Sequence, residues 1–326
     1  MKRVTVFGLG GTISMTADKA GGVVPALSAE QLVAAVPGLA ETNIEVDVVD
    51  FRRIPGASLS FEDIRELTAA IEQRLSTGAD GVVVTQGTDT IEEVAYLLDL
   101  THTRPEPIVV TGAMRNPTLA GADGPANILA AIQTAAADTA RDLGSLVVFA
   151  DEIHSSVRVR KTHSTSGHTF QSANGGPLGY VVEGEPRIVN RPAARVTLPA
   201  ATGREAEVAV VPVVLGDTGV TLRAVANHVD GLVVAAFGAG HVPVALVEIL
   251  GGLAARIPVV LASRGGAGST LARTYAFPGS ETDLLGRGLI PAGFLDPVKA
   301  RILVRHLLIS GHDQTSIKAV FERAGS

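Results

Sequence analysis

The chain reads as a two-domain α/β protein, with a larger N-terminal domain on a parallel or mixed sheet and a smaller C-terminal α/β domain. Three observations predict this. Short β-branched runs such as Val82-Val83-Val84 are apolar on both faces, as strands buried inside a sheet are. Each run gives way to a polar, often glycine-bearing turn and then to apolar residues at helical spacing. Strand and helix in alternation build parallel sheets with right-handed crossovers. Between about Glu183 and Glu207 the pattern breaks, with Pro186, Pro192, Pro199 and scattered arginines, and this divides the chain.

Taken in order, Arg3–Phe7 is a first strand, ending in Gly8-Leu9-Gly10-Gly11-Thr12. Met15–Val24, with its Gly21-Gly22 pair, reads as a flexible loop. Ser28-Ala29-Glu30-Gln31 is a capping-box start for a helix to about Val36, and Ser60-Phe61-Glu62-Asp63 opens another to about Ser76. Ile44–Asp50 is the strand between them. After the valine run, Ile91, Val94, Ala95 and Leu98 mark a helix whose first turn carries acids. Ile108–Thr111 and Leu146–Ala150 are further strands, and an Ala-rich helix runs from Asp123 to about Thr139. These elements make an N-terminal domain over residues 1–185, with 186–207 as linker. In 208–326, strands at Val208–Val214, Gly231–Ala236 and Pro258–Ala262 alternate with helices near Leu222–His228 and Val242–Ala255. With closing helices near Pro297–Leu308 and Thr315–Ala324, this half reads as flavodoxin-like.

Composition narrows the chemistry. Of 326 residues 46% are hydrophobic, enough for a sizeable core, and the net charge of −6 with no basic cluster argues against nucleic acid or an anionic membrane as partner. Without cysteine there is no disulfide, no thiolate metal site and no thiol nucleophile, so covalent chemistry falls to Ser, Thr or Lys. The opening MKRVTVFGLGGT runs directly into a strand, and no uninterrupted apolar stretch is long enough to span a bilayer, so a cytoplasmic location is expected.

Gly8-x-Gly10 followed by Asp50 invites a dinucleotide-binding reading, but Ile13 occupies the position that must be small. No Gly-Lys-Ser/Thr and no Gly-x-Ser-x-Gly occurs, which removes a P-loop and a serine elbow. His163 and His168 lack the spacing of a zinc site, and His102 and His312 read as solvated. Neither a metal nor a cofactor is expected. A threonine-based site remains. Thr12 follows the first strand, and Thr88 and Asp89 follow the valine strand, at the sheet edge where open α/β folds bind ligands. Lys161, in Arg160-Lys161-Thr162-His163, lies beyond another strand end. A hydroxyl becomes nucleophilic when a partly desolvated lysine takes its proton and a carboxylate orients that lysine. Read singly, Thr88 or Asp89 is also a helix cap and Lys161 a solvated cation.

In combination these residues name a family. Gly10-Gly11-Thr12-Ile13, Thr85-Gln86-Gly87-Thr88-Asp89-Thr90-Ile91-Glu92-Glu93 and Thr111-Gly112-Ala113-Met114-Arg115 resemble the bacterial-type L-asparaginases. So do Ala122-Asp123-Gly124-Pro125-Ala126-Asn127, Lys161-Thr162-His163, Phe237-Gly238-Ala239-Gly240-His241 and Leu295-Asp296-Pro297-Val298-Lys299, in the family's order along almost the whole chain. The resemblance implies hydrolysis of L-asparagine to L-aspartate and ammonia through a β-aspartyl-threonine intermediate, by a homotetramer built as a dimer of intimate dimers. It makes Thr12 the nucleophile, with Thr88, Asp89 and Lys161 as the supporting catalytic set. Asp89 would also pair with the substrate ammonium, and the Ala113 carbonyl would hold the departing nitrogen. Gly11 and Gly87 would let backbone N–H groups reach the oxyanion.

The chain departs from the family at three places. Val23 stands where a lid tyrosine is usual, and Thr16 is the hydroxyl nearest to it in sequence. In Ile54-Pro55-Gly56-Ala57-Ser58-Leu59, alignment on the following helix puts Gly56 in place of the serine that holds the substrate carboxylate. Its polar neighbour becomes Ala57, leaving Ser58 or backbone N–H groups to substitute. His241 replaces an asparagine that reaches the neighbouring subunit's site, and Glu281 aligns with the acid offered across that interface. Two other readings follow from these changes. One is an amidohydrolase preferring L-glutamine or another β-amide; the other is a slow-turnover sensor that binds asparagine or aspartate.

Overall fold

The computed structural model describes residues 1–11, 13, 15–17, 23–25 and 27–326, with 15–17 and 23–25 as backbone alone. The chain forms two compact units, Met1–Thr197 and Leu198–Ser326.

In the first unit the strands are β1 (Lys2–Gly8), β2 (Met15–Ala17), β3 (Val23–Pro25), β4 (Ile44–Asp50), β5 (Gly81–Thr85), β6 (Ile108–Thr111) and β7 (Ser145–Phe149). They continue with β8 (Glu152–Ser155), β9 (Arg160–Lys161), β10 (Phe170–Gln171), β11 (Gly179–Val182) and β12 (Glu185–Ile188). The helices are α1 (Ala29–Ala34), α2 (Phe61–Ser76), α3 (Ile91–Thr101) and α4 (Gly124–Ala136). Eight strands form one sheet in the order β12-β11-β8-β7-β6-β5-β1-β4. From β4 to β7 all neighbours are parallel, as the strand–helix alternation predicts. At β8 the sheet turns antiparallel, and β11 and β12 extend it as a hairpin. The Met15–Val24 stretch, read as a loop, contains the antiparallel pair β2–β3, with Thr16 opposite Val24.

The alternation of the pleat shows in β5. Val83 faces a core with Val4, Val6 and Val109, closed by Leu32 of α1 and Ile128 and Ile132 of α4. Val82 and Val84 face the other way, into a core with Phe7, Val110 and Val147, closed by α2 and α3 through Leu67, Ile71, Ile91 and Leu98. Both faces are therefore dry, which is why the run is valine throughout. Ser28 and Ser60 cap α1 and α2 with complete capping boxes. The proline-rich stretch before Thr197 is fastened to this unit by Arg195. Its guanidinium pairs with the buried Asp99 carboxylate at 2.8 Å and donates to the His102 carbonyl at 2.9 Å.

Two histidines sit differently from a surface expectation. His102 is buried, with Nε2 2.6 Å from the Glu106 carbonyl oxygen, because its segment turns back under α3. His154, on β8, is 1% exposed, with Nδ1 3.0 Å from Ser172 Oγ. Glu152 Oε2 lies 3.3 Å from Nε2, yet that nitrogen has no aligned hydrogen-bond partner. Burial therefore pushes the imidazole down to about 4 from 6.5, with His168 adding to the shift. The sign follows: between those values the unfolded chain takes a proton that the folded chain refuses. Stability is full above pH 6.5 and falls as pH drops toward 4, by up to about 3 kcal/mol. Urea titrations of His154→Gln should show that much less acid sensitivity than the parent; equal sensitivity refutes the assignment.

The second unit holds β13 (Val208–Pro212), β14 (Gly231–Ala236), β15 (Val259–Ser263) and β16 (Ile290–Pro291), parallel and in that order. Its helices are α5 (Val220–Val225), α6 (Val247–Ala254), α7 (Glu281–Gly286), α8 (Pro297–Ile309) and α9 (Gln314–Ala324). Asp296 caps α8 through the Val298 and Lys299 amides and pairs with the fully buried Lys299 ammonium at 3.1 Å. Among the described residues no helix is long and apolar enough to cross a membrane, and no group of acids and histidines is placed to hold a metal ion.

Candidate active site

Parallel strands end together, and β4, β1 and β5 are neighbours, so the turns after them converge at one edge. These turns carry Gly10-Gly11, Gly56-Ala57-Ser58 and Gly87-Thr88-Asp89. The three touch backbone to backbone. A Cβ on Gly11 would lie 2.1 Å from Gly87 N, and Gly11 has a φ of +87° that favours glycine. A Cβ on Gly56 would lie 2.8 Å from Gly87 O. Backbone bonds draw the turns in: Leu9 N donates to Thr85 O at 2.9 Å, and Ile54 N to Leu9 O at 3.1 Å. The position that alignment gave to a serine therefore has no room for one, while Ala57 and Ser58 beside it are exposed.

Thr88 begins a tight helical turn, Thr88–Thr90, that leads into α3. The residue at the N-cap of α3 is Thr90, whose side chain makes no cap hydrogen bond. Lys161 Nζ donates to Thr88 Oγ1 at 2.9 Å and to Asp89 Oδ1 at 2.7 Å. Thr88 is buried and the Lys161 side chain only 15% exposed, whereas Asp89 is open to solvent at 67%. The lysine reaches this place because β9 pairs with β10, where Phe170 opposite Lys161 anchors in the core against Phe149 at 4.9 Å. Glu92 Oε2 accepts from Lys161 N at 3.2 Å and fixes the strand to the first turn of α3. The candidates Thr88, Asp89 and Lys161 are thus brought together. Thr12, Gly21 and Gly22 lie outside the described residues, as do the side chains of Thr16 and Val23.

The turn after β6 carries Ala113, which is buried. Asp123 accepts from Met114 N at 3.0 Å and Arg115 N at 2.8 Å, and Asn127 Nδ2 donates to Gly112 O at 3.0 Å. Asn127 also receives Ala150 N, so one amide ties this turn to the end of β7. These fastening roles of Asp123, Asn127 and Glu92 went unassigned in the sequence reading. The signal was there in the Asp123–Asn127 spacing of four, which puts both side chains on one helix face.

His241 and Glu281 belong to the second unit. Glu281 is fully buried; Oε1 accepts from Thr274 N at 2.9 Å and Tyr275 N at 2.8 Å, and Oε2 lies 3.2 Å from His241 Nε2. Burial alone would raise its carboxyl, but the Tyr275 and Thr274 N–H groups and His241 hold it below the ordinary range. His241 also packs edge-on against Tyr275 and Phe277, at 4.8 and 5.0 Å.

Comparison with known proteins gives the family. Residues 3–194 match the family model described as Asparaginase, N-terminal, and residues 207–321 the Glutaminase/Asparaginase C-terminal domain. The chain is 34% identical to a probable L-asparaginase of Deinococcus radiodurans, over 98% of its own length and 97% of that protein's. It is 31% identical to L-asparaginase 2 of Escherichia coli, over 99% and 93% respectively. The crystal structure of a probable cytoplasmic L-asparaginase from Campylobacter jejuni superposes with a TM-score of 0.87 at 31% identity, covering 99% of both chains. In sequence and in fold, the chain belongs to the asparaginase family.

Proposed function

We propose that this chain hydrolyses L-asparagine to L-aspartate and ammonia through an acyl-threonine intermediate on Thr12. The observation that carries the reading is the Lys161 ammonium set between Thr88 Oγ1 and Asp89 Oδ1 at the sheet edge. Thr12 Oγ attacks the side-chain amide carbon as its proton passes to the amide nitrogen, the C–N bond breaks, and ammonia leaves past the Ala113 carbonyl. Water, positioned by Thr88, then attacks the ester carbon; its proton is relayed through Thr88 and Lys161 to the threonine oxygen as the C–O bond breaks, which frees aspartate and the Thr12 hydroxyl. Backbone N–H groups of the glycine turns at Gly11 and Gly87 stabilise the oxyanion, each donor contributing about 3 kcal/mol to the barrier. Asp89, open to solvent, receives the substrate ammonium, while Gly56, Ala57 and Ser58 line the carboxylate end with few side-chain donors.

Assembly as a homotetramer, with His241 and Glu281 contributing at a subunit interface, belongs to the same proposal and rests on the family resemblance. So does action in the cytoplasm, the compartment given for the Campylobacter relative. A steady-state amide panel at neutral pH tests the chemistry. Ammonia and aspartate should form in equal amounts from L-asparagine. L-Glutamine should be slower by about 10- to 200-fold, since one methylene gives only that much discrimination. Calorimetry showing tight asparagine or aspartate binding with no turnover would overturn the reading in favour of a sensor.

A further inference from the structure

Gln86 and Thr90 flank the threonine turn, and neither has a place in the chemistry above. Gln86 is fully buried, and its Nε2 donates twice, to Gly87 O at 3.3 Å and to Thr90 Oγ1 at 3.2 Å. Thr90 Oγ1 in turn donates to Gly56 O at 3.1 Å. A single amide therefore reaches the carbonyls of two neighbouring turns. In a trans peptide the C=O and the following N–H point in opposite directions, and no cis bond occurs among the described residues. Holding Gly87 O toward the interior turns the Thr88 N–H away from it, and holding Gly56 O does the same for the Ala57 N–H. Ala57 is exposed, in the turn that meets the Gly11 and Gly87 turns at the sheet edge.

A second observation separates this from ordinary packing. Among the described residues Gln86 Oε1 is buried with no hydrogen-bond partner. A buried amide that leaves its own oxygen unpaired while donating twice adds little net stability. The opposite amide orientation would set that oxygen against the Gly87 carbonyl, so the carbonyl dictates the one seen.

We propose that Gln86 and Thr90 are positioning residues that orient two backbone donors: Thr88 N–H toward the oxyanion and Ala57 N–H toward the substrate carboxylate. The inference rests on the asparagine-hydrolysis reading above. It explains how a carboxylate site short of side-chain donors still grips its ligand. The two residues separate by kinetics. Thr90→Val, nearly isosteric, removes the side-chain bond to Gly56 O and leaves that carbonyl the Leu59 N–H alone, at 3.2 Å; KM for L-asparagine should rise about tenfold with kcat within about twofold of the parent. Thr90→Ser keeps the hydroxyl and should restore KM. Gln86→Met releases Gly87 O and leaves Thr90 Oγ1 to hold Gly56 O without its own donor, so kcat should fall about tenfold with a smaller rise in KM, while the melting temperature stays at or above the parent's.

The same variants are titrated with L-aspartate by calorimetry, which reads the carboxylate end without turnover. Thr90→Val should bind about tenfold more weakly than the parent and Thr90→Ser equally well. Unchanged KM and aspartate affinity in Thr90→Val overturns the inference. So does a Gln86→Met chain whose activity falls only in step with a lowered melting temperature. If the parent binds aspartate but releases no ammonia, the hydrolysis reading fails and the binding data alone decide the carboxylate half. If it does neither, both fall together.

Discussion

Replacing Thr12 or Thr88 with alanine should abolish ammonia release from L-asparagine, lowering kcat roughly 10⁴-fold or more in each case. Thr12 is the attacking hydroxyl in the proposed mechanism, and it is the one hydroxyl residue in the stretch 9–13 that follows β1. Thr88 holds the hydroxyl that receives Lys161 Nζ at 2.9 Å, so its loss leaves the lysine bonded to the open Asp89 carboxylate alone. Lys161→Met should cost as much as Thr88→Ala, and the double variant little more, because groups that act as one unit are not additive. A short pulse of substrate followed by acid quench and mass mapping should find the acyl group on the peptide holding Thr12. Activity within about tenfold of the parent in both threonine variants would sink the assignment of roles.

The second large effect concerns space. Restoring the family's serine by Gly56→Ser should fail. Its Cβ would meet Gly87 O at 2.8 Å, and that oxygen is backbone, tethered by Gln86. Gly11→Ala is more severe, since the added carbon meets Gly87 N at 2.1 Å at a φ that L side chains avoid. Each change should cost about 3 kcal/mol or more, a fall of roughly 10 °C in melting temperature, and spread the turns that form the site. Ala57→Ser, one residue on, places its hydroxyl on an exposed side chain. It should keep the parent's stability and lower KM severalfold, about the worth of one added hydrogen bond. A Gly56→Ser protein that melts with the parent, or an Ala57→Ser protein with raised KM, contradicts this packing.

Much of this was legible from local pattern. The valine run announced β5 because a strand buried on both faces needs no alternation, and the switch to helical spacing at Ile91 placed Thr88 and Asp89 at an edge. Lys161 could be named by resemblance, but what delivers it is the Phe170 anchor of a two-residue hairpin, too short to leave a periodic signal. The antiparallel additions β8, β11 and β12 were likewise hidden, since strands of four residues at a sheet margin mix polar and apolar positions. His102 is buried by a tertiary turn that nothing in its neighbours foretells. Glu281 shows the same limit. The resemblance names it as an acid contributed across a subunit interface; what the sequence does not show is that within its own unit both oxygens are engaged, with two amides and an imidazole.

The strand order also dictates when during synthesis the site can exist. β1 leaves the ribosome first, yet its sheet partners β4 and β5 come only at Ile44–Asp50 and Gly81–Thr85. Until then a strand whose Val4–Gly8 stretch is destined for burial has both edges unpaired, which is the condition that invites intermolecular pairing. The lysine arrives later still, held by a hairpin that closes at Phe170–Gln171. Nascent chains that end before Gln171 therefore carry the turn of the proposed nucleophile without the hairpin that holds Lys161, and competence to react comes late in the synthesis of the first unit.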